Sequence, residues 1–289
     1  MSARTKVRSA KAIIEQSVSV TWMDSLERRI LFAAGDIDGS FGTAGTTTTT
    51  IPGFGGTGAF ATDVVVEPNT GKIAVGGQNI DKTALIVAKY DPATGALDTG
   101  FGSSGIETSN AAAGGEGIAE QTNGNFVITG TGPASLVTPH GTAFLKNDGT
   151  PDTGLNQSGV AQNIGGHDVQ VVTGDRWLLA SNTGLEVFDV NGIPANFPNG
   201  DNGNTHSTSL ANQIAVYTDP FTKEIQIIAV GYFRQRTGTG IFGNPFRYTT
   251  SMAIAKYDLT ITDHKAKVAL DTTFGVNGRI QTNLDGQFN

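Results

Sequence analysis

Leu97-Asp98-Thr99-Gly100-Phe101-Gly102-Ser103-Ser104-Gly105-Ile106 recurs along this chain in close or decayed copies, and that recurrence constrains the fold more than any other feature of the sequence. Asp38-Gly39-Ser40-Phe41-Gly42 with Gly45 is one copy. Leu270-Asp271-Thr272-Thr273-Phe274-Gly275 with Gly278 and Ile280 is another. Two are degraded: Pro151-Asp152-Thr153-Gly154-Leu155 with Gly159-Val160, and residues 191–200, where little beyond Phe197 and turn residues survives. The apolar anchors therefore fall at 41, 101, 155, 197 and 274. An average spacing of about 58 residues is that of arrays whose units each carry a whole supersecondary motif.

Between the anchors the pattern is that of short strands. Asp63-Val64-Val65-Val66-Glu67-Pro68 leads through Asn69-Thr70-Gly71 into Lys72-Ile73-Ala74-Val75-Gly76-Gly77, two β-rich runs around turn residues, which predicts a hairpin. The same places are held by 118–121 and 125–130, by 169–172 and 177–180, and by 214–217 and 224–231. A third strand follows each hairpin, at 84–91, 143–148, 185–189 and 252–258. The first and last of these end identically, in Ala88-Lys89-Tyr90-Asp91 and Ala255-Lys256-Tyr257-Asp258. A fourth run follows the anchors, as at 106–109 and 279–282. Four short strands per unit make a propeller blade, in which radial packing protects sheet edges.

The expected fold is therefore all-β, a propeller of about four repeats of four short strands. Residues 1–34 form a basic N-terminal tail and residues 35–289 the repeat domain. Gly at 39 of 289 residues, and charged residues at only 16%, suit strands and tight turns. Counting strands exposes a surplus: residues 46–51 follow an anchor as a further fourth strand, although the last unit already has 279–283. The strand count predicts an incomplete ring, an open or strained arc in which 46–51 was meant to close a later blade, with self-association through the unpaired sheet edge.

Composition excludes several function classes. A net charge of -7 argues against a nucleic-acid-binding surface. No apolar run approaches the length of a membrane-spanning helix. Cysteine is absent, which removes disulfides, thiolate zinc sites and cysteine nucleophiles together. His140, His167, His206 and His264 stand far apart, in or near turns, and read as solvated loop residues. Ser135, Ser158 and Ser181 lack a nucleophile elbow, and Gly53-Phe54-Gly55-Gly56-Thr57-Gly58 has no following Lys-Ser/Thr and reads as a mobile loop. Arg234, Arg236 and Arg247 sit in a polar insertion of the fourth unit. Calcium is the one cation the turns suggest, through Asp36-Ile37-Asp38-Gly39 and Asp189-Val190-Asn191-Gly192. Neither reproduces the ligand run and distal Glu of an EF-hand loop. No catalytic, cofactor or metal residue is assigned.

Two resemblances bear on context. Asp24-Ser25-Leu26-Glu27-Arg28-Arg29-Ile30-Leu31-Phe32-Ala33 resembles the LEPR-XLL motif near the start of large exported and surface proteins of some bacteria, with Arg28 where that motif has Pro. Arg4, Lys6, Arg8 and Lys11 precede it, although Glu15 and Gln16 interrupt the apolar stretch a Sec signal requires. The repeat units resemble the delta-60 repeat family over residues 36 to 283: an apolar hairpin, a strand ending in Lys-Tyr, then Leu-Asp-x-x-Phe-Gly-x-x-Gly. Trp177 and Ser181 depart from its usual aliphatic and Gly. The resemblances imply a β-propeller and a secreted or cell-surface setting, and transfer no catalytic residues. The expected function is an exported binding or scaffold module that engages a surface glycan or protein. The competing class is a carbohydrate-active or other hydrolytic enzyme with carboxylates converging on the propeller axis. After deletion of residues 1–34, far-UV circular dichroism should show a strand-dominated spectrum; a helix-dominated one would contradict the fold.

Overall fold

The computed structural model describes residues 37–53, 58–110, 114–132, 140–154, 158–162, 164–181, 184–188, 209–236, 248–262 and 265–282. It is an all-β, propeller-like succession of four antiparallel sheets. The first contains β1 (Ala59–Val66), β2 (Ile73–Asn79), β3 (Leu85–Tyr90) and β4 (Ile106–Ser109). The second contains β5 (Gly114–Glu120), β6 (Phe126–Thr131), β7 (His140–Leu145) and β8 (Val160–Gln162). The third is β9 (Asp168–Val172), β10 (Arg176–Ser181) and β11 (Gly184–Phe188). The fourth has β12 (Ser209–Thr218), β13 (Ile225–Arg236) and β14 (Tyr248–Thr262), with β15 (Lys265–Leu270) and β16 (Arg279–Thr282) both pairing β14. The only helical turn among the described residues is a 3₁₀ turn at Thr173–Asp175, and none of their helices is long and apolar enough to cross a membrane.

The hairpins close by one device. Gly71, Gly124 and Gly174 take φ of 71°, 84° and 72° at the first turn of each sheet, and Lys223 holds the same left-handed slot at 63° in the fourth. In three of these turns one backbone bond closes the strand ends, Glu67 N to Lys72 O, Gln121 N to Asn125 O and Asp219 N to Glu224 O, while the left-handed residue donates back: Gly71 N to Glu67 O, Gly124 N to Gln121 O and Lys223 N to Asp219 O. Further along the inner strands β1, β5 and β12 the register slips by a residue at equivalent places: Ala61/Asp63, Gly115/Gly117 and Ala211/Gln213. Such bulges re-aim the side chains that follow.

Alternation then decides which sheet each side chain meets. Leu85, Val87 and Ala74 of the first sheet pack on Ile118, Ile128 and Ala143 of the second. Ala119, Val127 and Phe144 on the other side of the second meet Val169, Trp177 and Leu179 of the third. Leu178, Leu185 and Val187 of the third meet Ile214, Ile227 and Tyr257 of the fourth. Trp177 stacks on Phe188 at 4.0 Å between ring centroids and meets Phe144 edge-on at 5.5 Å, so it fills the interface between the second and third sheets.

The anchor motif works as the sequence suggests. Phe101 is fully buried between the first two sheets, edge-on to Phe126, and Lys89 lies over both rings. Gly102 adopts φ of 49°, and a Cβ there would come within 2.4 Å of Ile106 O. Phe41 and Phe274 are only half-buried, and the anchors at 155 and 197 lie outside the described residues.

Two expectations change. Residues 46–51 are not a strand: Thr43 and Thr46 form an isolated bridge, and 47–51 join no ladder among the described residues. β15 was not anticipated, because Lys-Ala-Lys-Val-Ala-Leu is rich in good helix formers, and pairing with the long β14 overrides that preference. The fourth strand expected of the third unit lies outside the described residues. Truncating Phe101 to Ala should cost about 3–5 kcal/mol in urea unfolding, whereas an exposed ring would make the change nearly neutral.

Candidate functional site

One end of the sheets gathers polar side chains from three of them. In the β2–β3 turn, Asn79 is buried and its Oδ1 accepts from the backbone N–H groups of Thr83 at 2.8 Å and Ala84 at 3.0 Å. This folds the turn so that Lys82 Nζ stands 3.7 Å from Glu116 Oε1 of the second sheet. Glu116 sits within the β5 bulge. Its carboxylate accepts from Thr131 Oγ1 at 2.5 Å, and His167, just ahead of β9 in the third sheet, meets it through Nδ1 at 2.6 Å. Because an ionised carboxylate only accepts, Nδ1 of His167 carries the proton in this bond.

Burial pushes the Glu116 carboxyl up, but the hydrogen bonds from His167 and Thr131 outweigh it, and the group ends below its ordinary value. His140, at the start of β7, is half-buried, and its Nδ1 has no hydrogen-bond partner among the described residues. Burial holds that imidazole below its ordinary value and the nearby His167 acts in the same direction. Glu186 is close enough to influence His140 and accepts from Ser181 Oγ at 2.9 Å.

The chemistry open to this arrangement is hydrogen bonding to a polar ligand. A carboxylate that orients an imidazole is half of a nucleophilic triad, but the hydroxyl of Thr131 is already donated to that carboxylate and Ser181 donates to Glu186. Among the described residues no three His, Asp or Glu side chains are grouped to hold a metal ion. Asp38 spends its Oδ1 on the N–H and hydroxyl of Ser40, while Asp36 and 189–192 lie outside the described residues.

Carboxylates also occur on the inner strands. Asp63 Oδ2 accepts from Ile118 N at 2.9 Å, and Asp168 Oδ2 accepts from Ile214 N at 2.8 Å. Each ties its sheet to the inner strand of the next. Burial raises the Asp168 carboxyl, the Ile214 hydrogen bond opposes this, and the charge of Asp63 adds to the rise. At the opposite end, Lys89 pairs with Glu67 and donates to Asn147 O at 3.2 Å, while Lys72–Asp98 at 2.7 Å and Lys256–Asp271 at 2.8 Å fix the anchor aspartates. The Asp271 carboxyl is held down to about 2, chiefly by the Lys256 hydrogen bond.

The histidine expectation is corrected. His140 and His167 are not solvated loop residues but neighbours in one cluster, brought together by the packing of the second sheet on the third. His206 and His264 lie outside the described residues, as do Ser135, the 54–57 segment and Arg247. Ser158 stands in a turn, Ser181 is buried in β10, and Arg234 and Arg236 lie on β13. Glu116 carries no motif in the sequence. Its signal is a single charge among the glycines of Gly-Gly-Glu-Gly at 114–117. No family model, curated protein or solved structure matches the chain.

His140 binds its proton more readily unfolded than folded, so the unfolded state holds more protons and stability falls as pH drops below the ordinary value of 6.5. Glu116, also held low, adds a loss as pH drops below 4.5. Urea midpoints measured between about pH 7 and pH 5 should decline in the parent and flatten in His140→Gln. An unchanged slope would show that His140 is not held neutral by the fold.

Proposed function

We propose that this chain is an exported cell-surface binding or scaffold module, without catalytic activity of its own, that engages a surface glycan or protein. The observation that carries the reading is the convergence of Lys82, Glu116, Thr131, His140 and His167 from three sheets on one end of the stack. These groups offer donors and acceptors in fixed positions on a rigid frame, which suits recognition of a hydroxyl-rich or peptide ligand. Export is supported by the basic N-terminus and the LEPR-XLL-like segment, and a repeat-built propeller by the likeness to delta-60 units.

The hydrolase reading draws on Asp63 and Asp168, carboxylates of inner strands whose charges interact. Both carboxylates already serve as acceptors for backbone N–H groups of the following sheet, which favours the structural role. A glycan and protein array probed with the intact chain, followed by chromatography of each bound ligand, separates the two. Binding without product release, weakened about tenfold or more by Glu116→Gln, is the expected result, since one charge-assisted bond is worth about 1.5–3 kcal/mol. Product release that Asp168→Asn abolishes would replace this reading with the enzymatic one.

A further inference from the structure

The anchor motif at 37–46 meets the first sheet as the motif at 97–106 meets the second. Gly42 N donates to Thr94 O at 2.9 Å, as Gly102 N donates to Asp148 O at 2.7 Å. The Thr43–Thr46 bridge matches the Ser103–Ile106 bridge, and Ile37 lies on Gly45 as Leu97 lies on Gly105. After the second of these motifs the chain becomes β4, the outer strand of the first sheet, and it is this sheet that packs on the second. By the same geometry, residues 46–51 hold the outer-strand place of a sheet that would lie ahead of the first, and the other strands of that sheet are not among the described residues. Thr47 Oγ1 donates to Gly95 O at 3.0 Å, Tyr90 Oη to Thr49 Oγ1 at 2.8 Å, and Ile51 packs against the cluster of Ile86, Ala88, Tyr90 and Ile106. The backbone of 47–51 makes no backbone hydrogen bond among the described residues.

The face beside this segment is bare. Val64, Ile118, Val169 and Ile214 follow the bulge or the tie-forming Asp at equivalent points of the four inner strands; Ile118, Val169 and Ile214 each pack on the preceding sheet, and Val64 holds the corresponding place on the first. Ile118, Val169 and Ile214 are 3%, 0% and 6% exposed; Val64 is 56% exposed, and Val66 on the same face is likewise open.

We propose that residues 46–51 and the Val64 face form a docking site for a three-stranded antiparallel sheet of this same kind, a hairpin with its third strand but no outer strand, carried by a polypeptide that 46–51 completes by strand addition. Continuity with the three inter-sheet interfaces already formed sets which face the occupant presents, and the open edge of 46–51 sets its strand count. A second intact copy does not fit. Its fourth sheet, the one with a free face of the right sense, already has β16 on β14, and β16 would fall on 46–51.

Deleting residues 271–289 removes β16 and leaves a chain with both the open segment and a sheet lacking that outer strand. Sedimentation equilibrium should show the intact chain monomeric and the truncated chain associated, and Thr48→Pro with Thr50→Pro should abolish the association. A truncated chain that is folded by circular dichroism yet monomeric, association that survives the prolines, or a discrete dimer of the intact chain would overturn the proposal. If the truncated chain does not fold, a fluorescein-labelled peptide of residues 84–96, the third strand and its turn, decides through anisotropy with the intact chain. Saturable binding lost in the proline variant supports the site, and no binding, or binding that the prolines leave unchanged, refutes it.

Discussion

Every sheet in this stack has two apolar faces, and the architecture follows from the need to cover both. Burying a Val, Ile or Leu side chain is worth about 1.5–3 kcal/mol, so each interface between sheets contributes far more than the polar bonds at its margins. Alternation along the inner strand gives successive side chains to the preceding and the following sheet, and the bulges in β1, β5 and β12 set the phase of that alternation. The first sheet keeps one face bare around Val64. The fourth keeps the opposite face bare: Met252 is 50% exposed where its counterpart Leu85 in the first sheet is 1% exposed. The exposed apolar residues therefore mark two ends of an open arc.

Polar groups fix the geometry that burial selects. Asp63 and Asp168 each bond a backbone N–H of the next inner strand, which would otherwise be an unpaired donor near the bulge. Lys89 is enclosed by Glu67, Asn147 O and the faces of Phe101 and Phe126, so its charge is both paired and stacked. The anchor glycines let the chain turn back on itself beside the next sheet, where Gly102 N reaches Asp148 O. With the sheets held in this way, the turn of the first, the bulge of the second and the approach to the third are brought to one place. That is why Lys82, Glu116 and His167 meet although they are distant in sequence.

Much of the frame was legible because its signals are local. Hairpin runs, turn glycines and the terminal Lys-Tyr-Asp of the third strands all report short-range geometry, and β1–β3, β5–β7, β9–β11 and β12–β14 lie where those runs are. What was hidden depends on partners. Residues 46–51 read as a strand by their position after an anchor, but a strand requires a ladder, and among the described residues only Thr46 pairs, in an isolated bridge with Thr43. β15 owes its form to an unusually long β14, which no local pattern in Lys-Ala-Lys-Val-Ala-Leu announces. His140 and His167 looked like separate turn residues because their proximity is created by sheet packing, and Glu116 carries its meaning only once the bulge has aimed it at His167.

The chain has no cysteine of its own, so single thiols can report which faces of the arc are covered. The most direct test is the labelling rate, in native buffer, of Val64→Cys and Met252→Cys beside Val169→Cys and Leu85→Cys. The account predicts that the first two react at the rate of an unfolded thiol, while the last two are protected and react only through unfolding. Equal protection of all four would contradict it, because it would mean that the first and fourth sheets cover each other in a closed ring.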